Sequence, residues 1–431
     1  MASTPMSSTR RKPVRRSKFK KFLKALGPGL ITGASDDDPS GIVTYAQAGA
    51  MFGLATLWTA LITFPLMAAI QGMSARIGMV TTQGLTGTLK THYPKAVLYG
   101  VILFCFPAVV MNIGADIQSM GAVASLLIPA VPTFTFSIVF TVILMYVIIQ
   151  YSYQRMAGLL KWLCLALLLY LIIPFLVHPN WGEVARHTFI PEVRLNKEYL
   201  GIIVAILGTT ISPYLFFWQA TMEAEDIEHS KRKRIFVDKR MLEDMRKDVN
   251  TGMLFSNVVT FFLILTAGVV LNKGGVRQID TVEQAAHSLK PLAGQLSYLL
   301  FAIGVIGTGF LAIPVLAGCV SYMLAETFNF SKGLDKKFYQ AKEFYGVIIV
   351  SLVAGLCLQF LGISAVQALV YTAILYGLTA PVMIALLLHI GNNKKIMGKH
   401  TNSVLSNILG WMTLLLMTAA AVGLVWFQFF G

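Results

Sequence analysis

Eleven stretches of mostly apolar residues, each about 20 residues or longer and so long enough to cross a bilayer as a helix, divide this chain. They fall at 22–51, 54–77, 96–127, 134–151, 156–177, 199–222, 251–271, 292–324, 344–361, 364–390 and 407–430. The first, third and eighth exceed one bilayer thickness, so tilt, interruption or extension into solvent is expected there. Composition agrees: 56% of the 431 residues are apolar and 13% charged, whereas a soluble domain carries about 25% charged residues. An ordinary soluble enzyme, a disordered regulator and a secreted disulfide scaffold are excluded. The expected fold class is an all-α integral membrane protein of eleven transmembrane helices.

The chain holds 35 Lys and Arg against 20 Asp and Glu, a balance of +15. Taken alone, that balance suggests nucleic acid or an anionic surface as partner. Its distribution says otherwise. With the N-terminus inside, only Arg186, Arg194, Lys197, Lys273, Arg277 and Lys290 fall in outer segments, and the other 29 of the 35 mark the inner side. This is the positive-inside bias, so the C-terminus is expected outside. The basic segment 230–240 reads as a cytoplasmic loop with a minor attraction to anionic lipid headgroups, not a nucleic-acid patch. Residues 1–24 read as a basic cytoplasmic tail, 25–390 as the core and 391–431 as the eleventh helix. Cys105, Cys164, Cys319 and Cys357 sit in apolar runs without CxxC spacing, which points to packing rather than a metal or disulfide framework.

Sixteen of the 20 acids fall in loops or at helix ends; the exceptions are Asp36, Asp37, Asp38 and Asp116. A carboxylate at bilayer depth is costly unless paired, solvated or ion-bound. Three in a row do not suit a regular lipid-facing helix. Pro39 follows them, with Gly33 and Gly41 on either side. Proline lacks a backbone donor and disfavours helix at the preceding residue, so the span is expected to unwind across 33–41. Freed carbonyls with Asp38 would make an oxygen-rich cation site; a plain kink with acids in a watery vestibule is the alternative. The sixth span repeats the pattern in Gly208-Thr209-Thr210-Ile211-Ser212-Pro213-Tyr214. Two proline-interrupted spans five helices apart point to an inverted-repeat transporter with its site at the midplane. Thr210 suits helix–helix hydrogen bonding, and Ser212, next to the break, suits the site.

The segment LGPGLITGASDDDPSGIVTYAQAGAMFG resembles the first helix of the NRAMP family of divalent-metal transporters, whose hallmark there is D-P-G-N. GTTISPYLFFWQA resembles that family's sixth helix, with its A-x-x-M-P-H hallmark. The resemblance implies a ten-helix inverted 5+5 repeat core of the amino-acid-transporter type, broken in helices 1 and 6, plus an eleventh helix. It implies a transported divalent cation rather than a resident cofactor, and no enzymatic activity. Carried over, the metal-binding Asp falls on Asp38, the Asn on Gly41, the backbone carbonyl on Thr209 and the Met on Ser212. Asp36 and Asp37 join the candidate ligands. The family's two histidines fall on Tyr214 and Gln219. The third-helix D-x-x-E pair reads as Asp116/Ser119 or Ala115/Gln118, so its Glu is absent; Asp116 and Gln118 remain candidates for a proton path.

These departures shift the expected chemistry. A thioether favours transition metals, and its replacement by a hydroxyl beside carboxylates moves the site towards hard cations, Mg2+ and Mn2+. No histidine falls in mid-membrane, so proton coupling is expected to be weak or absent. The expectation is therefore a divalent-cation carrier in a prokaryotic inner membrane, with the ion and the bilayer as partners and no protein partner evident. The alternatives are a proton-coupled Mn2+/Fe2+ symporter of the ordinary family type and a carrier of small organic substrates such as amino acids on the same fold. Three acids at the break oppose an anionic substrate.

Overall fold

A computed structural model describes residues 28–151, 169–229 and 237–429. The expected tail, the start of the first span, residues 156–168 of the fifth span, Cys164 and most of the 230–240 loop lie outside the described residues. Among the described residues all regular structure is helical. The helices run α1 Pro28–Asp36, α2 Pro39–Phe52, α3 Leu57–Thr81, α4 Leu85–His92, α5 Lys95–Leu127, α6 Thr133–Gln150, α7 Leu169–Val177 and α8 Trp181–Phe189. They continue as α9 Lys197–Thr210, α10 Pro213–His229, α11 Lys239–Ala267, α12 Ser297–Phe328, α13 Lys342–Cys357, α14 Ala365–Asn392 and α15 Val404–Phe429.

Nine segments among the described residues are long and apolar enough to cross a membrane: α3, α5, α6, α9 with α10, α11 with the π-turn after it, α12, α13 with its last 3-10 turn, α14 and α15. The first expected span is divided into α1 and α2, each too short to cross alone, and α7 is the described end of the fifth. Two boundaries moved for physical reasons. Helix α11 begins at Lys239 rather than near 251, because Asp238 caps it by accepting the Met241 amide at 2.8 Å. A charged helix extending beyond the bilayer carries no hydropathy signal. Helix α12 begins at Ser297 rather than 292, after a turn in which Gly294 adopts φ +53°, open to glycine without strain.

The α9–α10 span lies at the centre and is almost wholly buried, whereas α6 and α15 are mostly exposed and form the rim. Val142 and Tyr146 on α6, and Trp411, Leu415 and Trp426 on α15, are exposed. Such an apolar perimeter requires lipid. Helices α1 and α2 run alongside α11 at very close range. A Cβ on Gly33 would strike the Gly252 backbone, and one on Gly49 would strike that of Ile264 and Gly268. The paired glycines fix the register, so that one turn beyond Gly33 and Gly252 the acids of α1 meet Ser256.

Candidate functional site

Proline makes both helix breaks, and hydroxyl groups stabilise them. The first break is narrower than the sequence suggested: α1 continues through Asp36, and only Asp37 and Asp38 leave the helix. Asp38 is extended, at φ −71° and ψ 172°, and caps α2 with Pro39 in its first turn. Pro39 cannot donate to the carbonyl four residues back, that of Ser35. The Tyr214 hydroxyl donates to that carbonyl instead, at 3.2 Å. The second break follows the same logic. Pro213 leaves the Thr209 carbonyl without its helical donor, and the Ser212 hydroxyl supplies one at 2.7 Å while also reaching Gly208 O at 3.0 Å. The hydroxyls of Ser212 and Tyr214 are thus committed to orphaned backbone carbonyls. The Thr209 carbonyl is likewise occupied by Ser212.

The two breaks abut. A Cβ on Gly41 would lie 3.4 Å from the Asp36 carbonyl oxygen and 3.5 Å from Thr209 Oγ1. Tyr45 of α2 joins Thr210 of α9 through their hydroxyls at 2.9 Å, the helix–helix bond expected for Thr210. Asp38 lies at this junction and is 2% exposed. One oxygen accepts the Gly41 amide at 2.8 Å and the other accepts Asn112 Nδ2 at 2.9 Å. The oxygen of Asn112 lies 3.3 Å from the Thr372 hydroxyl of α14, whose proton goes to the closer Leu369 O at 2.8 Å. Ser40 ties α2 to the same part of α14 by donating to Leu369 O at 3.0 Å.

Asn112 escaped the sequence reading. Its signal was an amide inside an apolar run, one helical turn before Asp116 and therefore on the same face of α5. Asp116 is fully buried in the neighbourhood of Asp38 and the Ser40 amide, yet neither of its oxygens has a partner at hydrogen-bond geometry. Asp36 and Asp37 face away from this cluster: Ser256 of α11 donates to Asp36 Oδ2 at 2.5 Å and lies 3.2 Å from Asp37 Oδ1. Gln118 is also set apart, donating to Ile363 O at 3.0 Å. Gln219 belongs to a chain along the other half of α1, accepting from Thr32 at 2.6 Å and donating to Glu223 at 2.9 Å.

Glu223 and Glu326, read from sequence as helix-end acids, are buried, at 6% and 7% exposure. Glu326 at the end of α12 accepts the Gly84 and Gly87 amides at 3.1 and 2.7 Å and pairs with Lys332 at 2.6 Å. It thereby caps the N-terminus of α4. Of the cysteines, Cys105 and Cys319 are buried as expected and Cys357 is exposed.

Among the described residues no three His, Cys, Asp or Glu side chains converge to ligate one ion. Any cation held beside Asp38 would draw on oxygen donors: Asp38, Asp116, the Thr209 hydroxyl, water and, once its amide turns over, the Asn112 oxygen that now faces Thr372. That donor set contains neither sulfur nor imidazole and fits a hard ion.

Two interrupted helices meeting around a buried carboxylate, inside a lipid-facing bundle, define an integral membrane protein of the broken-helix transporter class. Solved structures share the fold. The Eremococcus coleocola manganese transporter, crystallised with an aromatic bis-isothiourea substituted compound, superposes with a TM-score of 0.71 at 19% identity, covering 98% of this chain and 89% of that one. Mhp1, a nucleobase-cation-symport-1 family transporter, gives 0.58 at 14% identity, with 93% of each chain covered. The sequence profile of the natural resistance-associated macrophage protein-like (Nramp) family matches residues 29–427. The chain belongs to that family. Among its relatives, the divalent metal cation transporter MntH of Caldanaerobacter subterraneus subsp. tengcongensis is 25% identical over 423 residues, 95% of this chain and 94% of that protein. MntH of Yersinia enterocolitica is 24% identical over 403 residues, 91% of this chain and 92% of that protein.

Proposed function

We propose that this protein carries divalent metal cations across the membrane by alternating access. The observation that carries this reading is Asp38, a buried carboxylate held at the junction of two proline-broken helices by Gly41 and Asn112. The negative C-terminal ends of the two half-helices, α1 and α9, at such a junction suit a cation. The family and the MntH relatives support the substrate class. The molecule is read as eleven transmembrane helices, ten of them an inverted 5+5 repeat and α15 the eleventh. Its location is a prokaryotic plasma membrane, with the N-terminus cytoplasmic and the C-terminus outside.

Mg2+ and Mn2+ are the favoured ions, because the donors around Asp38 are oxygens and the family's thioether position holds Ser212. Asp38, Asn112, Asp116 and Thr209 contact the ion or its waters. Gly41, lacking a side chain, lets the Asp36 carbonyl and the Thr209 hydroxyl approach the junction, and Ser212 and Tyr214 maintain the breaks. Coupling to protons is weak or absent, since Tyr214 and Gln219 stand where the family has histidines. The membrane potential then drives uptake, at about 2.3 kcal/mol per charge per 100 mV. The specific observation favouring the proton-coupled Mn2+/Fe2+ alternative is Asp116, whose oxygens lack partners beside Asp38.

Purified protein in liposomes tests the substrate assignment by competition against Mn2+ uptake. Mg2+ is expected to compete and glycine or alanine to have no effect. Competition by the amino acid instead would overturn the reading in favour of an organic substrate.

A further inference from the structure

The acid triplet is divided between two environments, and the half that faces α11 has chemistry of its own. Asp36 and Asp37 are 1% and 0% exposed and take no part in the hydrogen bonds of Asp38. Their one shared donor is the Ser256 hydroxyl, at 2.5 Å from Asp36 Oδ2 and 3.2 Å from Asp37 Oδ1. A hydroxyl has one proton and satisfies one carboxylate at a time. The outer oxygens, Asp36 Oδ1 and Asp37 Oδ2, are buried with no hydrogen-bond partner. No salt bridge among the described residues involves either acid. Asp36 also ends α1, where the helix dipole presents its negative pole and so disfavours further negative charge and favours a cation. Thr260, one turn beyond Ser256 on the same face of α11, is buried next to the Tyr45 hydroxyl and adds a further oxygen to this side of the acids.

We propose that Asp36, Asp37 and Ser256 form a second cation site, between α1 and α11, that binds a hard divalent ion separately from the ion beside Asp38. Two carboxylates carry a charge that one divalent ion neutralises; a monovalent ion would leave net charge buried. The donors the site offers, two carboxylates and a hydroxyl, are all oxygens, the hard ligands that Mg2+ prefers. Gly33 and Gly252 make the site possible: their close contact brings α1 near enough to α11 for Ser256 to reach both acids.

Counting ions tests the proposal. The full-length protein is purified in detergent, and Mn2+ binding is measured by equilibrium dialysis with paramagnetic resonance detection, Mg2+ serving as competitor. Wild type is expected to bind two ions per chain. The double variant Asp36→Asn, Asp37→Asn is expected to bind one and to keep uptake dependent on Asp38. Asp38→Asn is expected to bind one, at the Asp36–Asp37 site. Ser256→Ala, which removes a single hydroxyl, is expected to weaken one site about tenfold and leave the other unchanged. A wild-type stoichiometry of one that Asp38→Asn abolishes would overturn the second site and leave the proposed function intact. Two ions retained by the double variant would also overturn it. If the double variant does not fold, Ser256→Ala decides, and unchanged affinity at both sites overturns the proposal. Two ions retained by Asp38→Asn would instead refute the Asp38 assignment.

Discussion

Replacing Asp38 with Asn separates the cost of the ion site from the cost of the fold. Asparagine caps a helix as well as aspartate does, so the amide oxygen at position 38 keeps the Gly41 bond, now 2.8 Å long. Its NH2 group then faces Asn112, which currently donates at 2.9 Å. Asn112 restores the pairing by flipping its amide and donating to Thr372, whose own hydroxyl proton already goes to Leu369 O at 2.8 Å. Two charge-assisted bonds become neutral, a loss of about 1 kcal/mol each, and the burial of one charge is relieved. The net change in folding stability is expected to stay within about 1 kcal/mol. The ion loses far more. At an effective dielectric of 20, a divalent ion about 4 Å from a carboxylate is held by roughly 8 kcal/mol. Losing even a quarter of that, about 2 kcal/mol, is roughly a 30-fold fall in affinity. Thermal melting in detergent reads the first quantity and Mn2+ uptake into liposomes the second. A well-folded variant whose uptake stays within threefold of wild type would refute the assignment of the ion to Asp38.

Further outcomes follow from the same contacts. Ser212→Met removes the hydroxyl that occupies the Thr209 carbonyl and adds a thioether, so uptake competition is expected to shift from Mg2+ towards Cd2+ and Mn2+; an unchanged ion ranking would separate Ser212 from the ion. Glu326→Ala leaves the Gly84 and Gly87 amides without their acceptor while Lys332, a third exposed, turns to water, and melting is expected to show a loss of about 1–3 kcal/mol. Gly33→Ala forces α1 from α11, and a loss of about 1–3 kcal/mol is expected from overpacking, together with weaker binding at Asp36 and Asp37.

The bilayer made much of this molecule legible in its sequence. Apolar runs located the spans because a spanning backbone must satisfy itself in a helix, and Pro39 and Pro213 located both breaks. The extent of the breaks was not legible. Helix α1 persists to Asp36 because Tyr214 supplies the donor that Pro39 lacks, as Ser212 does for the end of α9 at Pro213, and the Tyr214 pairing forms only in three dimensions. Asn112 was overlooked because one amide barely alters hydropathy. The division of the acids, Asp38 towards α5 and its two neighbours towards Ser256, depends on the close glycine contacts with α11, which no local pattern records. Glu326 read as a solvated end residue because its partners, Gly84 and Gly87, lie on a distant segment.

The most direct measurement records cation entry and internal pH together, in liposomes that contain the purified protein and a clamped potential. The expected result is entry of Mg2+ and Mn2+ that grows as the interior is made more negative, with internal pH unchanged. Acidification in step with Mn2+ would contradict uncoupled transport and favour a proton symporter that works through Asp116. Absence of divalent entry at any potential would contradict the cation-carrier assignment itself.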